Sequence, residues 1–340
     1  MSANRLKDRA TVDHFRLGLG LAVASALAFG SSGPFAKSLM EAGWSPTAAV
    51  VARLAGGALV MAAFATFVRP GWIREALRHP KTVVAYGVIP IAGAQLFYYN
   101  AVAHLSVGVA LLLEYTAPII VVGWVWVTTR RRPTSMTLAG VALAVVGIML
   151  VLNIFAGASI NLIGVGWGLA AAVCAACYFV MSANVNNAGA DGEGINPITL
   201  ATAGLIAGAA AVTLLGLTGV MPLTFTANDT VVGGWTTSWL VPVIALAVIA
   251  TAVAYTLGIM GISRLRPRFA SLVGLSEVMF AVIAAWVLLG EAVTVTQAIG
   301  GAIVLVGLAL ARAGDRSEAV ADATWPDGPV EDKTVPRANG

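Results

Sequence analysis

LLLEYTAPII, residues 111–120, sets a glutamate inside an apolar run that extends over 107–128. About 20 mostly apolar residues are enough for a helix to cross the hydrocarbon core of a bilayer. A carboxylate at that depth costs on the order of 2.5–3.5 kcal/mol on insertion scales. Glu114 therefore needs an offsetting partner or a wet cavity, provided the run is a membrane span at all. The rest of the chain answers that condition. Of 340 residues, 59% are hydrophobic and 11% charged, whereas soluble domains carry about 25% charged residues. Comparable runs recur at roughly 17–40, 46–68, 82–103, 107–128, 136–154, 162–184, 197–217, 239–262, 269–289 and 293–312, ten in all. They are continuous, whereas barrel strands alternate over about ten residues. The reading is an all-α membrane protein of ten transmembrane helices, multi-pass in the plasma membrane.

The first run is too long for a signal-peptide core and lacks a convincing cleavage site, so 1–16 is read as a cytoplasmic leader. Residues 313–340, rich in Asp, Glu, Pro, Arg and Gly, read as a disordered cytoplasmic tail. The net charge of +4 does not point to nucleic acid, because its distribution follows topology. With the N-terminus inside, inward loops hold sixteen Lys and Arg: Arg5, Lys7, Arg9, Arg16, Arg69, Arg74, Arg78, Lys81, Arg130, Arg131, Arg132, Arg264, Arg266, Arg268, Arg312 and Arg316. The outward loops hold none, which predicts N-in and C-in. Cys174 and Cys177, spaced CxxC inside the sixth run, lack a nearby cation or helix N-terminus and read as small apolar packing residues.

Sliding the chain against itself by 160 residues aligns 82–152 with 242–312 without a gap. Trp126 meets Trp286, Gly140 meets Gly300 and Gly147 meets Gly307. Each half, 17–155 and 160–312, then holds five spans, and an odd number turns the second half over. Two inverted five-helix repeats are an architecture of secondary transporters, with the substrate site near the midplane between them. No GxxxxGK[ST] loop occurs, so built-in ATP coupling is not expected. No cofactor or metal is expected either. His14, His79 and His104 sit at span ends or outside, and no nucleophile motif appears, which argues against an enzyme.

The deep polar residues are the site candidates. At about 1.5 Å per helical residue, Arg53 in the second run and Glu114 in the fourth lie at similar depth. Gln95, Tyr98, Tyr99 and Asn100 of the third run share that outer half, and Lys37 lies near the outer end of the first. The expectation is that Glu114 faces a cavity and pairs with Arg53 or Lys37. Two readings stand: an ion pair that locks two spans, or cavity lining for substrate or proton. Lys37 is also near enough to an end to snorkel to water. The second half supplies Glu277, with Tyr255 and Tyr178 at comparable depth; Glu277 corresponds to Ala117, and Tyr255 to Gln95, under the repeat. Glu291, before the tenth run, reads as solvated or as a helix-capping acid. Pro34, Pro90 and Pro118 are expected to break the first, third and fourth helices.

Three stretches carry a family resemblance: GSSGPFAKSLMEAGWSPTAAVVARL at 30–54, ALLLEYTAPIIVVGW at 110–124, and SEVMFAVIAAWVLLGEAVTVTQAIGGAIVLVGLALAR at 276–312. They resemble the drug/metabolite transporter superfamily, in particular its EamA-type ten-helix exporters. The first two, with AVCAACYFVMSANV in the sixth run, look most like the threonine/homoserine exporter branch. The resemblance covers 17–312 and implies gradient-driven efflux of small metabolites by alternating access. The glutamate–proline pair frequent in the family's ninth span is Glu277-Val278 here, a departure that removes the proline on which a kink there would rest. The branch implies amino acids such as threonine or homoserine. Drug or other-metabolite efflux is the alternative within the superfamily, and a non-transporting membrane assembly protein the alternative outside it. The partners expected are a small-molecule substrate and the lipid bilayer, with a homodimer left open by the sequence.

Overall fold

The computed structural model describes residues 2–130, 132–152, 161–190, 194–262 and 267–324. Arg131, Arg264 and Arg266, the boundary expected at 155–160 and the tail beyond Thr324 lie outside the described residues. In chain order come α1 (Ser2–Gly30), α2 (Ser32–Glu41), α3 (Pro46–Val68), α4 (Trp72–Arg78), α5 (Pro80–Tyr86), a π-helical segment (Gly87–Gly93) and α6 (Ala94–Val102). Then follow α7 (Val107–Glu114), α8 (Ala117–Thr129), α9 (Ser135–Val151), α10 (Leu162–Ala190) and α11 (Pro197–Leu217). A hairpin of β1 (Thr230–Val232) and β2 (Trp235–Thr237) precedes α12 (Leu240–Ile244), a second π-helical segment (Ala245–Val253), α13 (Ala254–Ile262), α14 (Pro267–Leu289) and α15 (Val295–Thr324).

Among the described residues, six helical runs are long and apolar enough to cross a membrane: Arg16–Glu41, Pro46–Val68, Pro80–Val102, Val107–Thr128, Pro197–Leu217 and Leu240–Gly261. Ser135–Val151, Leu162–Tyr178, Val273–Leu289 and Val295–Ala311 are shorter apolar helices. The prolines act where the sequence places them. Pro90 lies inside the first π-helical segment, and Pro118 opens α8 after the break at Tyr115–Thr116. Pro34 stands in the first turn of α2, just past the turn at Ser31. Each ring removes an N–H and crowds a carbonyl one turn back, so the ladder widens or restarts. α14, with Val278 after Glu277, runs on without a break.

Two features depart from expectation. The chain is not purely helical: β1 and β2 pair antiparallel across Gly233 and Gly234, whose φ values of 63° and 79° suit a two-residue turn. In addition, α15 continues to Thr324, so the expected tail begins as helix. Residues 313–324, AGDRSEAVADAT, hold four alanines and no proline, which favours continuing the helix.

Hydrogen bonds define two ends of the bundle. At one, Thr226 Oγ1 and Asn228 Nδ2 donate to Ala42 O (2.8 and 2.9 Å), Trp44 Nε1 donates to Thr226 O (2.8 Å), and Gly233 N donates to Leu288 O (2.7 Å). This is the hairpin end. At the other, Glu75 of α4 accepts from Asn196 N (2.8 Å) and from the Thr199 hydroxyl (2.7 Å) at the start of α11. Arg69 precedes α4, and Arg74 and Arg78 lie within it, so this is the arginine end. Burial alone would push the Glu75 carboxyl up, but the Asn196 N–H, the Thr199 hydroxyl and Arg69 outweigh it and hold it below the usual carboxylate range.

Helix contacts recur at the 160-residue shift. A Cβ on Gly147 would lie 2.7 Å from Gly300 O, and one on Gly307 would lie 2.7 Å from Gly140 O. α9 and α15 therefore run antiparallel at backbone contact, Gly140 beside Gly307 and Gly147 beside Gly300. The residues that match under the shift thus exchange partners, as equivalent elements do across a two-fold axis. The π-helical segments follow the same rule. The first packs on α11 through Gly87 and Gly204, the second on α3 through Gly57 and Thr251. Small residues allow this approach where lipid offers little drive for helix association.

Candidate functional site

Among the described residues, Arg53 is the largest sealed side chain, at 1% exposure. It leaves α3 toward the place where three interrupted helices meet: the α1–α2 turn, the end of the first π-helical segment, and the second such segment. Its Nη1 donates to Ser32 Oγ (3.0 Å), Tyr99 OH (3.1 Å) and Gln95 Oε1. Its Nε donates to Thr251 Oγ1 (3.2 Å) and its Nη2 to Ala250 O (3.0 Å). Thr251 spends its own proton on Leu246 O (2.8 Å), a carbonyl of the widened helix, so its oxygen is free to accept. Arg53 thus ties α2, α3 and α6 to the later half of the chain through neutral acceptors. A buried charge is ordinarily paired. Among the described residues, no carboxylate forms a salt bridge with it.

The expected pairing of Glu114 is therefore corrected. Neither Arg53 nor Lys37 bonds it, because Arg53 is engaged as above and Lys37 pairs with Glu291. Glu114 ends α7, half-buried, and takes no hydrogen bond from a described residue. Among those residues the sealed, unpartnered side-chain polar atoms are Thr47 Oγ1 and Thr202 Oγ1, so the tip of Glu114 keeps open space. The charges whose fields reach it are Glu277 and Arg53. Glu277 is held differently. Its Oε2 accepts from the Tyr115 hydroxyl at 2.8 Å, across from α14 to the α7–α8 break.

The other candidates divide. Gln95 joins the Arg53 cluster. Tyr98 is buried with its hydroxyl against Gly33 and its ring 5.7 Å from that of Tyr99, beside the cluster. Tyr255 packs edge-on to Phe29 at 5.1 Å. Asn100 does not face the site: its Nδ2 donates to Leu96 O (2.7 Å), one turn back in its own helix. Tyr178 is 39% exposed and packs on Tyr86 with ring centroids 5.7 Å apart, at the margin. Lys37 lies at the hairpin end, where Glu291 also accepts from Val107 N (3.1 Å) at the start of α7. Glu291 therefore caps a helix of the other half of the chain, and neither the following helix nor solvent is its main partner.

Ser32, Thr251, the Ala250 carbonyl and Tyr115 went unselected in the sequence. Ser and Thr are common in apolar helices, and a backbone carbonyl has no sequence signal. Tyr115 had one: it follows Glu114 directly and precedes Pro118 by three residues, at the expected break. The whole arrangement is one sealed cation with two carboxylates, one tethered and one open. Such a set complements a small molecule that carries both charges.

Comparisons agree with this picture at the level of family. The EamA-like transporter family matches residues 16–153 and again residues 162–313. The threonine/homoserine exporter RhtA of Escherichia coli K12 is 29% identical over 276 residues, 80% of this chain and 84% of that protein. RhtA of Salmonella typhimurium LT2 is 29% identical over 269 residues, covering 78% and 81%. An uncharacterized transporter of Archaeoglobus fulgidus is 27% identical over 244 residues, covering 72% and 81%. A solved crystal structure matches with a TM-score of 0.59 at 20% identity, over 88% of this chain and 98% of that one, and shows the likeness of fold.

Proposed function

We propose that this chain, which belongs to the EamA-like transporter family, exports small zwitterionic metabolites, amino acids such as threonine or homoserine foremost, from the cytoplasm across the plasma membrane. The observation that carries the reading is Arg53: a sealed guanidinium whose acceptors among the described residues are all neutral, where both halves meet, within the fields of Glu114 and Glu277. A substrate carboxylate would meet the positive field of Arg53, and its ammonium the open carboxylate of Glu114. The relatives named for threonine and homoserine export support that substrate class.

Ten spans in two inverted halves follow from the same family reading. The antiparallel packing of α9 on α15, the exchange of partners at a 160-residue shift and the double family match support the inversion. Placing the arginine end in the cytoplasm obeys the positive-inside rule and sets both termini inside. Alternating access is then rocking of one half against the other around Arg53, driven by a substrate or ion gradient. The test is efflux from peptide-loaded cells that lack their own exporters, comparing empty vector, the native chain and Glu114→Gln at equal expression. Release of threonine or homoserine by the native chain alone supports the reading. Equal release by the variant removes Glu114 from the site, and no release of any amino acid sinks the substrate class.

A further inference from the structure

We propose that Tyr115 is the positioning residue that holds the Glu277 carboxyl in one place in both its charged and its neutral form. The inference rests on the transport reading, in which a deep carboxylate changes partner or proton during the cycle. Its geometry is independent of that reading. Tyr115 sits in the two-residue break between α7 and α8, and its hydroxyl reaches α14. There it lies 2.8 Å from Glu277 Oε2 and 2.9 Å from Gly274 O.

A phenol has one proton and two lone pairs, so it cannot donate to both neighbours at once. Ionised Glu277 only accepts, and a charged acceptor takes the stronger bond, so the phenol proton points to the carboxylate. If Glu277 takes up a proton from solvent, it becomes a donor. Its new O–H then points to the phenol oxygen, and the phenol proton turns to Gly274 O. The Tyr115–Glu277 bond thus persists with its direction reversed, the bond to Gly274 O forms only in the neutral state, and no donor of the pair is left unpaired in either state. Glu114, one residue earlier, has no such partner among the described residues. The tethered carboxylate thus keeps its place while the open one follows the substrate. The titratable and charged groups acting on this pair are Glu114 of α7, Arg53 of α3, Tyr98 of α6 and Tyr255 of α13.

The test reads the carboxyl itself. Infrared difference spectra of the purified full chain are recorded between acid and alkaline pH for the native protein, Glu277→Gln and Tyr115→Phe. The expected result is a carboxyl band that is lost in Glu277→Gln and moved in frequency in Tyr115→Phe. An unmoved band in Tyr115→Phe overturns the proposal. So does the absence of any Glu277-dependent band, because Glu277 then does not change charge. If Tyr115→Phe fails to fold, ortho-fluorotyrosine at position 115 keeps ring and hydroxyl while strengthening the donor, and the same band must move. Threonine efflux against pH is measured beside the spectra: its profile moves in Tyr115→Phe if the proposal holds. A native chain that exports no amino acid sinks the export reading, while the spectra still decide the role of Tyr115.

Discussion

Replacing Arg53 by lysine keeps the charge and removes the fork. The guanidinium serves five acceptors: Ser32 Oγ, Gln95 Oε1, Tyr99 OH, Thr251 Oγ1 and Ala250 O. An ammonium has three donors clustered on one atom and cannot span the separated Nε, Nη1 and Nη2 positions of the fork, so about two of these acceptors lose their partner. Leaving a buried acceptor unmet costs about 1–3 kcal/mol, which places the loss at about 2–6 kcal/mol. Side-chain hydrogen bonds within membranes average only about 0.6 kcal/mol in double-mutant cycles, which lowers the floor to about 1 kcal/mol. The acceptors in question include Thr251 and Ala250, the bonds that cross to the later half of the chain. The assay is thermal unfolding of the detergent-solubilised chain, followed by size-exclusion chromatography, for Arg53→Lys, Thr251→Val and the double variant. A clearly lowered melting temperature is expected for Arg53→Lys, with the effect of Thr251→Val diminished in its background, since the bond is already gone. Unfolding of Arg53→Lys at the native temperature, or full additivity of the pair, would refute the fork as the tie between halves.

Three further perturbations are worked from the same structure. Gly147→Leu drives a side chain into Gly300 O and Val304 N, both 2.7 Å from the position of its Cβ. It should destabilise by about 1–3 kcal/mol through overpacking, while Gly123→Leu, with nothing within 4 Å, should leave the melting temperature unchanged. Glu75 is held below its ordinary value of 4.5, so the stability it adds is present above that pH and is lost as the pH falls through its folded value. Glu75→Gln should flatten this acid limb of the stability profile; an identical limb would show that Glu75 contributes nothing to it. Glu291 binds Lys37 with one oxygen and Val107 N with the other. Melting temperatures should therefore fall in the order native, Glu291→Gln, Glu291→Ala, because glutamine keeps an acceptor for the amide and alanine keeps neither.

Much of the architecture was legible along the chain. The apolar runs and the breaks at Pro90 and Pro118 are local properties of sequence and are seen in the structure. Depth was legible as well, since 1.5 Å per residue converts position into height, and Arg53 and Gln95 do meet. Azimuth was not. Asn100 stands in the same helix as Gln95, yet it turns back onto its own backbone. The second π-helical segment was also hidden, because it holds no proline.

What the sequence determined by itself is which stretches are apolar, where their hydrogen-bond ladders are interrupted, and at what height each charge lies. These depend on residues within a turn or two of one another. What only the tertiary structure decided is who faces whom. Glu114 was expected on a cation and bonds none among the described residues, Lys37 found Glu291, and Tyr115 reached Glu277 from a residue 162 positions away. A charge in a low-dielectric interior is answered by whichever groups the packing turns toward it. That rotation is set by small-residue contacts between helices distant in sequence, such as Gly57 against Thr251, and no local pattern records it.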